Sequence, residues 1–425
     1  MQLSVKPDYH TDDVMKQLYR CLCGDLRRCL RLDGASCVEK AAYSNDYRSR
    51  SYLLHDALSG YQYKWLAQMN SLLKRYVFKD ESITPDEREL LTNQKFLSLQ
   101  ERLACLYRKP RSYRTHLVLT RARAICADIV GRTEPSGLFD GGRFGTKATV
   151  GCPKSVGYID VKLLEKPITG SSVHLRWFKN YLSNDSLLEQ IVSQNKLGMQ
   201  SVMCLSQVNV PKKYNIDRGI NPNTLIGSLH SDCIGKFLVE KLKDVGLDIR
   251  RLQGQHGKYA KSASIHGHGV TADLSNASHA FLSSTLNALM PRWLYRRCME
   301  GVIRQVDVSG RVYRLESIMT MGIGFTFPAQ TLLFYCLLRA LAELAGIPGK
   351  ISVYGDDLFY PRRLHPYVCG LFSDLGFELN LDKTFVKSPF RESCGSDYFR
   401  GVDVRPFSPE QVGSAMSKTQ YLAFL

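Results

Sequence analysis

The spacing of apolar residues changes about halfway along this chain. In residues 1–110, apolar positions recur at helical spacing among many lysines and arginines, as in Val14–Leu30 and Leu54–Tyr76, which predicts a largely helical region. From about residue 200, short apolar runs alternate with helix-spaced segments, and Gly and Pro separate them. Strands that pair with one another and helices that cover one face of the sheet would follow. We therefore predict an α+β fold.

Two elements in the second half are predicted most clearly. Gly269–Leu274 is an apolar run typical of a strand, and Ser275 is a suitable N-cap for a helix that continues to Met290. A second helix is predicted over about residues 328–345, because a Gly and a Pro follow directly. These elements precede the segment that carries the strongest chemical signal.

That segment is Tyr354–Asp357, which short apolar runs flank on both sides. A Gly-Asp turn between two strand-like segments predicts a tight hairpin with Asp356 and Asp357 at its tip. Asp273 ends the strand predicted earlier, where burying an acid without a partner is costly. On neighbouring strands, Asp273 and Asp356 can hold two Mg²⁺ ions for phosphoryl transfer, with Asp357 assisting. The alternative for Asp273 is that it caps the following helix.

Composition adds one fact to this pattern, which is charge. The 425 residues include 57 Lys and Arg against 40 Asp and Glu, a formal net charge of +17. Such an excess favours a polyanionic partner, with nucleic acid first. The longest apolar run is far too short to span a membrane, and the first ten residues lack the apolar core of a signal peptide. We therefore expect no membrane partner.

Four basic side chains are candidates for binding phosphates. The Gly-rich segment Ser136–Lys154 predicts a loop, in which Arg143 and Lys147 could contact an RNA backbone. Lys212 and Arg218 lie on a segment that could contact a triphosphate. The alternative in both places is an ordinary solvated basic surface.

Two further segments allow a similar choice. Gly322 and Gly324 lie two apart just before a predicted helix, so they could form a loop against a nucleic-acid backbone, with Thr320 as a donor. The alternative is a simple turn that begins the helix. Lys383 could protonate pyrophosphate as it leaves, and the alternative is a surface lysine.

Seven segments in this order resemble the replicase catalytic subunits of RNA bacteriophages, the levivirus group. The resemblance covers about residues 205–407, and a single Gly-Asp-Asp is much less specific than seven ordered motifs. The motifs are Pro211–Arg218, Asp273–Ser278, Met321–Phe327, Tyr354–Asp357, Lys383–Phe385, Pro389–Gly395 and Gly401–Val404.

The resemblance implies an RNA-directed RNA polymerase shaped as a right hand, with a ferredoxin-like antiparallel palm and helical fingers. It implies synthesis of RNA on an RNA template from ribonucleoside triphosphates in a bacterial cytoplasm, with two Mg²⁺ ions for which Mn²⁺ could substitute. It also implies host partners, namely elongation factors Tu and Ts and a ribosomal protein. Asp273 and Asp356 would be metal ligands with Asp357 assisting, and Lys212 and Arg218 would contact the triphosphate. Arg391–Gly395 would belong to a hairpin that supports the primer strand, with Arg391 in contact with RNA.

The same resemblance divides the chain into regions. Residues 1–200 would form the N-terminal region and fingers, and residues 201–255 a fingers segment with the triphosphate motif. Residues 256–407 would form the palm, and residues 408–425 the start of a thumb. Since this family continues with a substantial thumb, we expect that the chain is a truncated form in which most of the thumb is missing.

Two positions depart from the family pattern. Ile323 stands where the family usually has a polar residue between two glycines, and Ser278 and His279 occupy a stretch that commonly carries an acid. Both changes affect selection of the ribose 2′-hydroxyl, for which Ser275, Ser278 and Thr320 are the candidates.

Two other functions remain open at this level. A reverse transcriptase would share the palm but usually carries a larger residue at the position of Gly355. A non-catalytic RNA-binding protein would be consistent with the charge alone. Comparison of ribonucleotide and deoxyribonucleotide incorporation distinguishes the three.

Overall fold

The computed structural model describes two long stretches of the chain, residues 84–213 and 216–406. It also describes a few positions before them, namely Ser59, Gly60, Tyr63, Lys64 and Ala67. The predicted helix Val14–Leu30, most of Leu54–Tyr76, and the predicted thumb segment lie outside the described residues.

Helices dominate the first part of the described chain and alternate with strands afterwards. The first helix begins with a capping box, in which Thr84 and Glu87 satisfy each other's backbone N–H groups. The helices are α1 (Pro85–Arg108), α2 (Tyr113–Val130), α3 (Ser172–Leu182), α4 (Ser186–Ser193), α5 (Leu225–Asp244), α6 (Ile249–His266), α7 (Ser283–Leu289), α8 (Arg292–Met299), α9 (Thr326–Ala345) and α10 (His365–Leu375).

The strands are short and form several small sheets. They are β1 (Ile168–Gly170), β2 (Met199–Ser201), β3 (Cys204–Ser206), β4 (Val208–Lys213), β5 (Ile216–Ile220), β6 (Gly269–Ala272), β7 (Leu274–Ser275), β8 (Gln305–Val308), β9 (Arg311–Arg314), β10 (Ser352–Tyr354), β11 (Asp357–Pro361), β12 (Glu378–Leu379), β13 (Phe390–Ser393), β14 (Ser396–Phe399) and β15 (Val402–Asp403). Helices and sheets together confirm the predicted α+β class. Two strand pairs, β1–β2 and β3–β8, are parallel, and each includes a strand that lies before the region predicted to form the antiparallel palm.

The central sheet has the order β10-β11-β6 and is antiparallel throughout. It packs against α9, whose buried apolar residues lie at the centre of the largest hydrophobic core. The predicted hairpin and the helix predicted over 328–345 are both confirmed. Helix α9 ends at Gly346, which adopts the left-handed conformation with φ of 62° and closes the helix as a C-cap.

The helix predicted from Ser275 to Met290 is wrong in its first half. Ser275 lies in β7, where it pairs with Glu378 of β12, and Asn276 then takes a left-handed conformation with φ of 53°. Helix α7 begins only at Ser283. Pairing with β12 gives the backbone at Ser275 the hydrogen-bond partners that a helix would otherwise provide. Asn276 can follow in the left-handed conformation because Asn tolerates it better than most residues.

Hairpin β4–β5 carries the predicted triphosphate motif and packs against α1. The Thr92 hydroxyl of α1 accepts a hydrogen bond from the Asp217 N–H at 3.0 Å, and Arg88 lies 3.6 Å from the Asp217 carboxylate. Within the described stretches, no helix combines the length and the apolar character needed to span a membrane.

Candidate active site

The register of the central sheet brings the predicted carboxylates together. Leu358 of β11 lies opposite Ala272 of β6, so Asp357 and Asp273 occupy facing positions one residue further along. Facing residues of an antiparallel pair project to the same side of the sheet. Asp356 precedes Asp357 in the turn of the hairpin. Residues far apart in sequence therefore form one acidic group at the end of the sheet.

The pKa of Asp357 reflects this grouping of acidic side chains. Burial, with a smaller contribution from the nearby charges of Asp356 and Asp273, raises its pKa to about 7. The backbone N–H of Cys394 opposes this shift, because it donates to Asp357 Oδ1 at 3.2 Å. A carboxylate destabilised by burial and by like charges is stabilised by a cation. The electrostatics of the site therefore suit a divalent metal ion.

The turn itself is held against α9. Gly355 is the first of the two turn residues and has φ of 63°, as a type II′ hairpin turn requires. Its N–H donates to the Thr331 hydroxyl at 2.9 Å, and a Cβ at this position would lie 2.4 Å from the ring of Phe327. Glycine is thus required both for the backbone conformation and for close contact with the helix.

Lys383 lies at the acidic group and is not merely a surface lysine. Its Nζ is 3.4 Å from Asp273 Oδ2 and 3.9 Å from Glu392 Oε1. Burial lowers the pKa of Lys383, but the carboxylates of Glu392, Asp273 and Asp357 outweigh that effect and raise it above its ordinary value. The ammonium is therefore charged at neutral pH and partly offsets the acidic group.

Sequence reasoning missed the other side chains that hold these groups in place. Asn380 Nδ2 donates to Asp273 Oδ2 at 3.2 Å, and its backbone N–H donates to the Asp273 carbonyl at 2.9 Å. Glu392 and Cys394 lie in the segment predicted to form the primer-supporting hairpin, but their contacts with Lys383 and Asp357 were not predicted. The proximity of Asn380 to Lys383 in sequence was the only available signal, since the contacts form through strand pairing.

The acidic group is not a complete metal cage made by protein alone. Across the described residues, no three His, Cys, Asp or Glu side chains converge closely enough to hold an ion by themselves. Mg²⁺ is usually bound through one or two carboxylates together with waters and substrate phosphates. Asp273, Asp356 and Asp357 therefore fit an ion that is completed by a triphosphate.

Arg391 is placed differently from the prediction that it contacts RNA. Its side chain is fully buried, and the guanidinium donates to the carbonyls of Gly269, Phe390 and Val386 at 3.0, 2.7 and 3.1 Å, and also to that of Ser388. A guanidinium enclosed by four carbonyls has no surface for a phosphate. Arg391 instead ties the strand that leads to Asp273 to the β13 segment.

The two glycines of the loop before α9 have a packing role. Gly322 has φ of 128°, and a Cβ there would lie 2.1 Å from the carbonyl oxygen of Asn221. The Gly324 N–H donates to the Ser231 hydroxyl of α5 at 3.0 Å. This geometry supports the simpler interpretation of a turn that begins a helix, and contact with RNA stays a prediction.

The candidates for ribose selection differ in exposure. Ser275 is half-buried on β7. Ser278 and Thr320 are buried, and the Ser278 hydroxyl lies 3.3 Å from Nδ1 of the buried His279. In this structure a ribose would reach Ser275 more readily than the other two.

The predicted basic contacts are exposed where the structure describes them. Arg143 and Lys147 lie on a loop that a buried lysine organises, since Lys162 Nζ donates to the Gly145 carbonyl at 2.6 Å and also to the Lys147 carbonyl. Arg218 is exposed on β5. The side chain of Lys212 lies outside the described residues, so its role and those of the exposed cations stay predictions.

Comparison with known proteins identifies the family. A family model described as "RNA replicase, beta-chain" matches residues 30–415. The chain belongs to this family. The resemblance drawn from the seven motifs is thereby confirmed.

Individual relatives match a shorter stretch. The RNA-directed RNA polymerase beta chain of Escherichia phage MS2 is 35% identical over 198 residues, which is 47% of this chain and 36% of that protein. The corresponding subunit beta of Escherichia virus Qbeta is 33% identical over 202 residues, or 47% of this chain and 34% of that protein. The matched stretch thus spans about a third of these curated relatives.

Solved structures are more distant. The RNA-dependent RNA polymerase of bacteriophage phi12 matches with a TM-score of 0.42 and 12% identity, over 73% of this chain and 57% of that one. The RNA-dependent RNA polymerase of a human picobirnavirus, an insertion-loop deletion mutant, matches with a TM-score of 0.36 and 16% identity, over 49% and 47%. Likeness at this level adds nothing to the family assignment.

Proposed function

We propose that the chain carries the catalytic centre of an RNA-directed RNA polymerase that replicates the RNA of a positive-strand phage. The 3′-hydroxyl of a growing RNA strand would attack the α-phosphate of a ribonucleoside triphosphate and release pyrophosphate. One observation carries the proposal: strand register brings Asp273 to Asp356 and Asp357 in a member of the RNA replicase beta-chain family.

The acidic side chains would act by holding metal. Two bound Mg²⁺ ions would lower the pKa of the attacking hydroxyl and neutralise charge on the leaving pyrophosphate, and Mn²⁺ could substitute. Asp273 and Asp356 would be the main ligands because they lie on two different elements at one sheet end. Asp357 is largely buried and would complete or support the site.

Lys383 would act on the leaving group. Its ammonium lies 3.4 Å from Asp273 Oδ2, and its raised pKa keeps the proton available at neutral pH. Donation of that proton to pyrophosphate as it departs would be general acid catalysis, which typically contributes about 10²–10⁴-fold. The same lysine would also stabilise the phosphate charge before transfer.

The remaining assignments follow from the family. We place the ferredoxin-like palm at 256–407, the fingers within 1–255 and the start of a thumb at 408–425. Lys212 and Arg218 would contact the triphosphate, and Ser275, with Ser278 and Thr320 behind it, the ribose. The exposed Arg143 and Lys147, and the loop of Gly322 and Gly324, would face the RNA strands.

The relatives' names, "beta chain" and "subunit beta", support a multi-subunit complex. By the resemblance, its other members would be host elongation factors Tu and Ts and a ribosomal protein, in the bacterial cytoplasm.

The test is template-directed extension of an RNA primer with ribonucleotides or deoxyribonucleotides in Mg²⁺. We expect ribonucleotide incorporation by the wild type and a loss of at least about a hundredfold in Asp356→Asn, because a charge that acts at the transferring phosphate is removed. The matched control is Asp244→Asn, since Asp244 is 65% exposed at the end of α5. An active Asp356→Asn variant would contradict the site assignment.

The other two functions are separated by the same assay. The net charge of +17 favours RNA binding even without catalysis. Salt-sensitive RNA binding without extension by either nucleotide would indicate a non-catalytic RNA-binding protein. Preferential incorporation of deoxyribonucleotides would indicate a reverse transcriptase.

A further inference from the structure

His256 of α6 is buried among three elements and has both ring nitrogens in hydrogen bonds. Nδ1 lies 2.9 Å from the Ser393 hydroxyl of β13, and Nε2 lies 2.9 Å from the Ser352 hydroxyl of β10. Both serines are also buried. Since a neutral imidazole has one donor and one acceptor nitrogen, and a hydroxyl can be either, the bridge is satisfied in both tautomers.

Each serine leads directly to part of the acidic group. Ser352 begins β10, the strand that runs into the turn at Asp356. Ser393 ends β13 and precedes Cys394, whose N–H donates to Asp357 Oδ1 at 3.2 Å. Through these two hydroxyls, the imidazole therefore connects strand β10, which leads into the turn, with the segment whose Cys394 N–H holds Asp357.

A second side chain of α6 acts on the same segment. Gln253, three residues before His256 and so on the same face of the helix, donates through Nε2 to the Cys394 carbonyl at 3.1 Å. Cys394 has φ of 50°, a left-handed conformation that non-glycine residues rarely adopt. Surrounding contacts must hold the backbone in this conformation. Helix α6 supplies two contacts to the segment, from Gln253 to the Cys394 carbonyl and from His256 to the Ser393 hydroxyl.

We infer that His256 is a positioning residue for the proposed polymerase site, which it serves by fixing β10 and the Ser393–Cys394 segment at one separation so that Asp356 and Asp357 converge on metal. The inference rests on the proposed function. An imidazole suits this role because its ring is rigid and its two nitrogens point in different directions. Displacements of about 1 Å in a catalytic group can cost a hundredfold in rate.

The experiment must separate positioning from ordinary core stability. His256→Phe keeps a ring but leaves the buried Ser352 hydroxyl without its partner and the buried Ser393 hydroxyl with only the weak contact to Cys394 Sγ at 3.8 Å. It should therefore lower both the melting temperature and the extension rate. The triple variant His256→Phe, Ser352→Ala, Ser393→Ala removes both sides of each hydrogen bond. Such removal can be nearly neutral for stability. His266→Phe is the control, because His266 is exposed at the end of the same helix.

If His256 acts by positioning, the triple variant should regain most of the melting temperature that His256→Phe loses, but it should not regain the geometry of the acidic group. We expect its extension rate at saturating nucleotide to stay at least tenfold below wild type, and its half-maximal Mg²⁺ concentration to rise several-fold. RNA affinity should be unchanged. Binding of Mn²⁺, measured by electron paramagnetic resonance without RNA or nucleotide, should weaken to the same degree.

Two outcomes would count against the inference. Recovery of the extension rate together with the melting temperature in the triple variant would show that His256 serves only stability. Equal Mn²⁺ binding by the wild type and the triple variant would contradict an effect on the carboxylates. If the wild type extends no RNA, the proposed function fails, but the Mn²⁺ comparison still reports whether His256 positions the acidic group.

Discussion

The hairpin β10–β11, which carries Asp356 and Asp357, and the glycine loop, residues 317–325, both adjoin the first turns of α9, yet they are built differently. The hairpin is local, since Gly355 forms the turn between two strands that pair with each other. The loop is not local, since Gly322 and Gly324 pack against Asn221 and Ser231. The same residue type thus serves a turn in one region and a close contact between distant segments in the other.

The largest expected effect is on the glycine loop. In Gly322→Ala the new Cβ would lie 2.1 Å from a backbone oxygen, at a φ of 128° that alanine rarely adopts. Since a backbone cannot move aside as a side chain can, we expect a loss of more than about 3 kcal/mol in the free energy of unfolding. Gly355→Ala should cost less, because the atoms nearest to its Cβ belong to the Phe327 side chain and not to backbone.

Urea denaturation of the two variants measures this difference. The hairpin variant should retain more stability but lose more extension activity per folded molecule, since its turn carries Asp356. An equal or larger loss of stability in Gly355→Ala would contradict the distinction between a local turn and a long-range contact.

A somewhat smaller effect concerns pH, to which both regions should respond alike. Burial, with a smaller contribution from Lys350, lowers the pKa of His256, behind the hairpin, to about 4. Burial and the neighbouring His230 lower the pKa of His174, which lines a small cavity beside Thr320 of the loop, to about 4, with Glu300 opposing. Each imidazole is therefore neutral in the folded protein at pH values where the unfolded chain is protonated.

The sign of the pH effect follows from these shifts. Stability is fully present above the ordinary histidine pKa of about 6.5 and is lost as the pH falls towards 4, because the unfolded state binds protons first. Each histidine can contribute at most about 3 kcal/mol to that loss. The measurement is the free energy of unfolding at intervals between pH 7.5 and 4.5.

His174→Phe tests the loop side of this effect. Neither ring nitrogen of His174 has a hydrogen-bond partner among the described residues, so the substitution should flatten the pH dependence at little cost near pH 7. An unchanged slope would show that His174 is not a source of acid sensitivity.

The smallest effect compares two threonines of α9. The Thr331 hydroxyl accepts the Gly355 N–H, whereas the Thr326 hydroxyl donates to the Thr320 carbonyl at 3.1 Å. In Thr331→Val a buried N–H loses its acceptor, so we expect a loss of about 1–3 kcal/mol and slower extension. In Thr326→Val the Thr320 carbonyl still accepts the Ile323 N–H, so the loss should be below about 1 kcal/mol. Thermal unfolding and primer extension measure both variants, and a reversed order would contradict the comparison.

The parts of the site that could be predicted are those with local signals. Asp356 and Asp357 follow a turn glycine between two apolar runs, and α9 has helical periodicity ended by Gly346. Asp273 could be joined to them because it ends a strand. The order of the seven motifs along the chain was also enough to indicate the family, since order and spacing are properties of the sequence itself.

The errors arose where distant segments decide the outcome. Ser275 looked like a helix cap, but pairing with β12 makes it part of a strand. Arg391 looked like an RNA contact, but four carbonyls enclose it. The contacts of Asn380 and Cys394 with the carboxylates depend on which strands become neighbours, and no spacing along the chain encodes that. The palm, fingers and thumb boundaries stay predictions.

The buried guanidinium of Arg391 and the buried ammonium of Lys162 change what the net charge of +17 means. Both cations face carbonyl dipoles inside the fold and are out of reach of a phosphate. Binding of RNA releases counterions only where exposed cations neutralise phosphates. The slope of log affinity against log salt therefore counts neither residue, so the number of phosphates that the protein can neutralise is smaller than the amino-acid composition suggests.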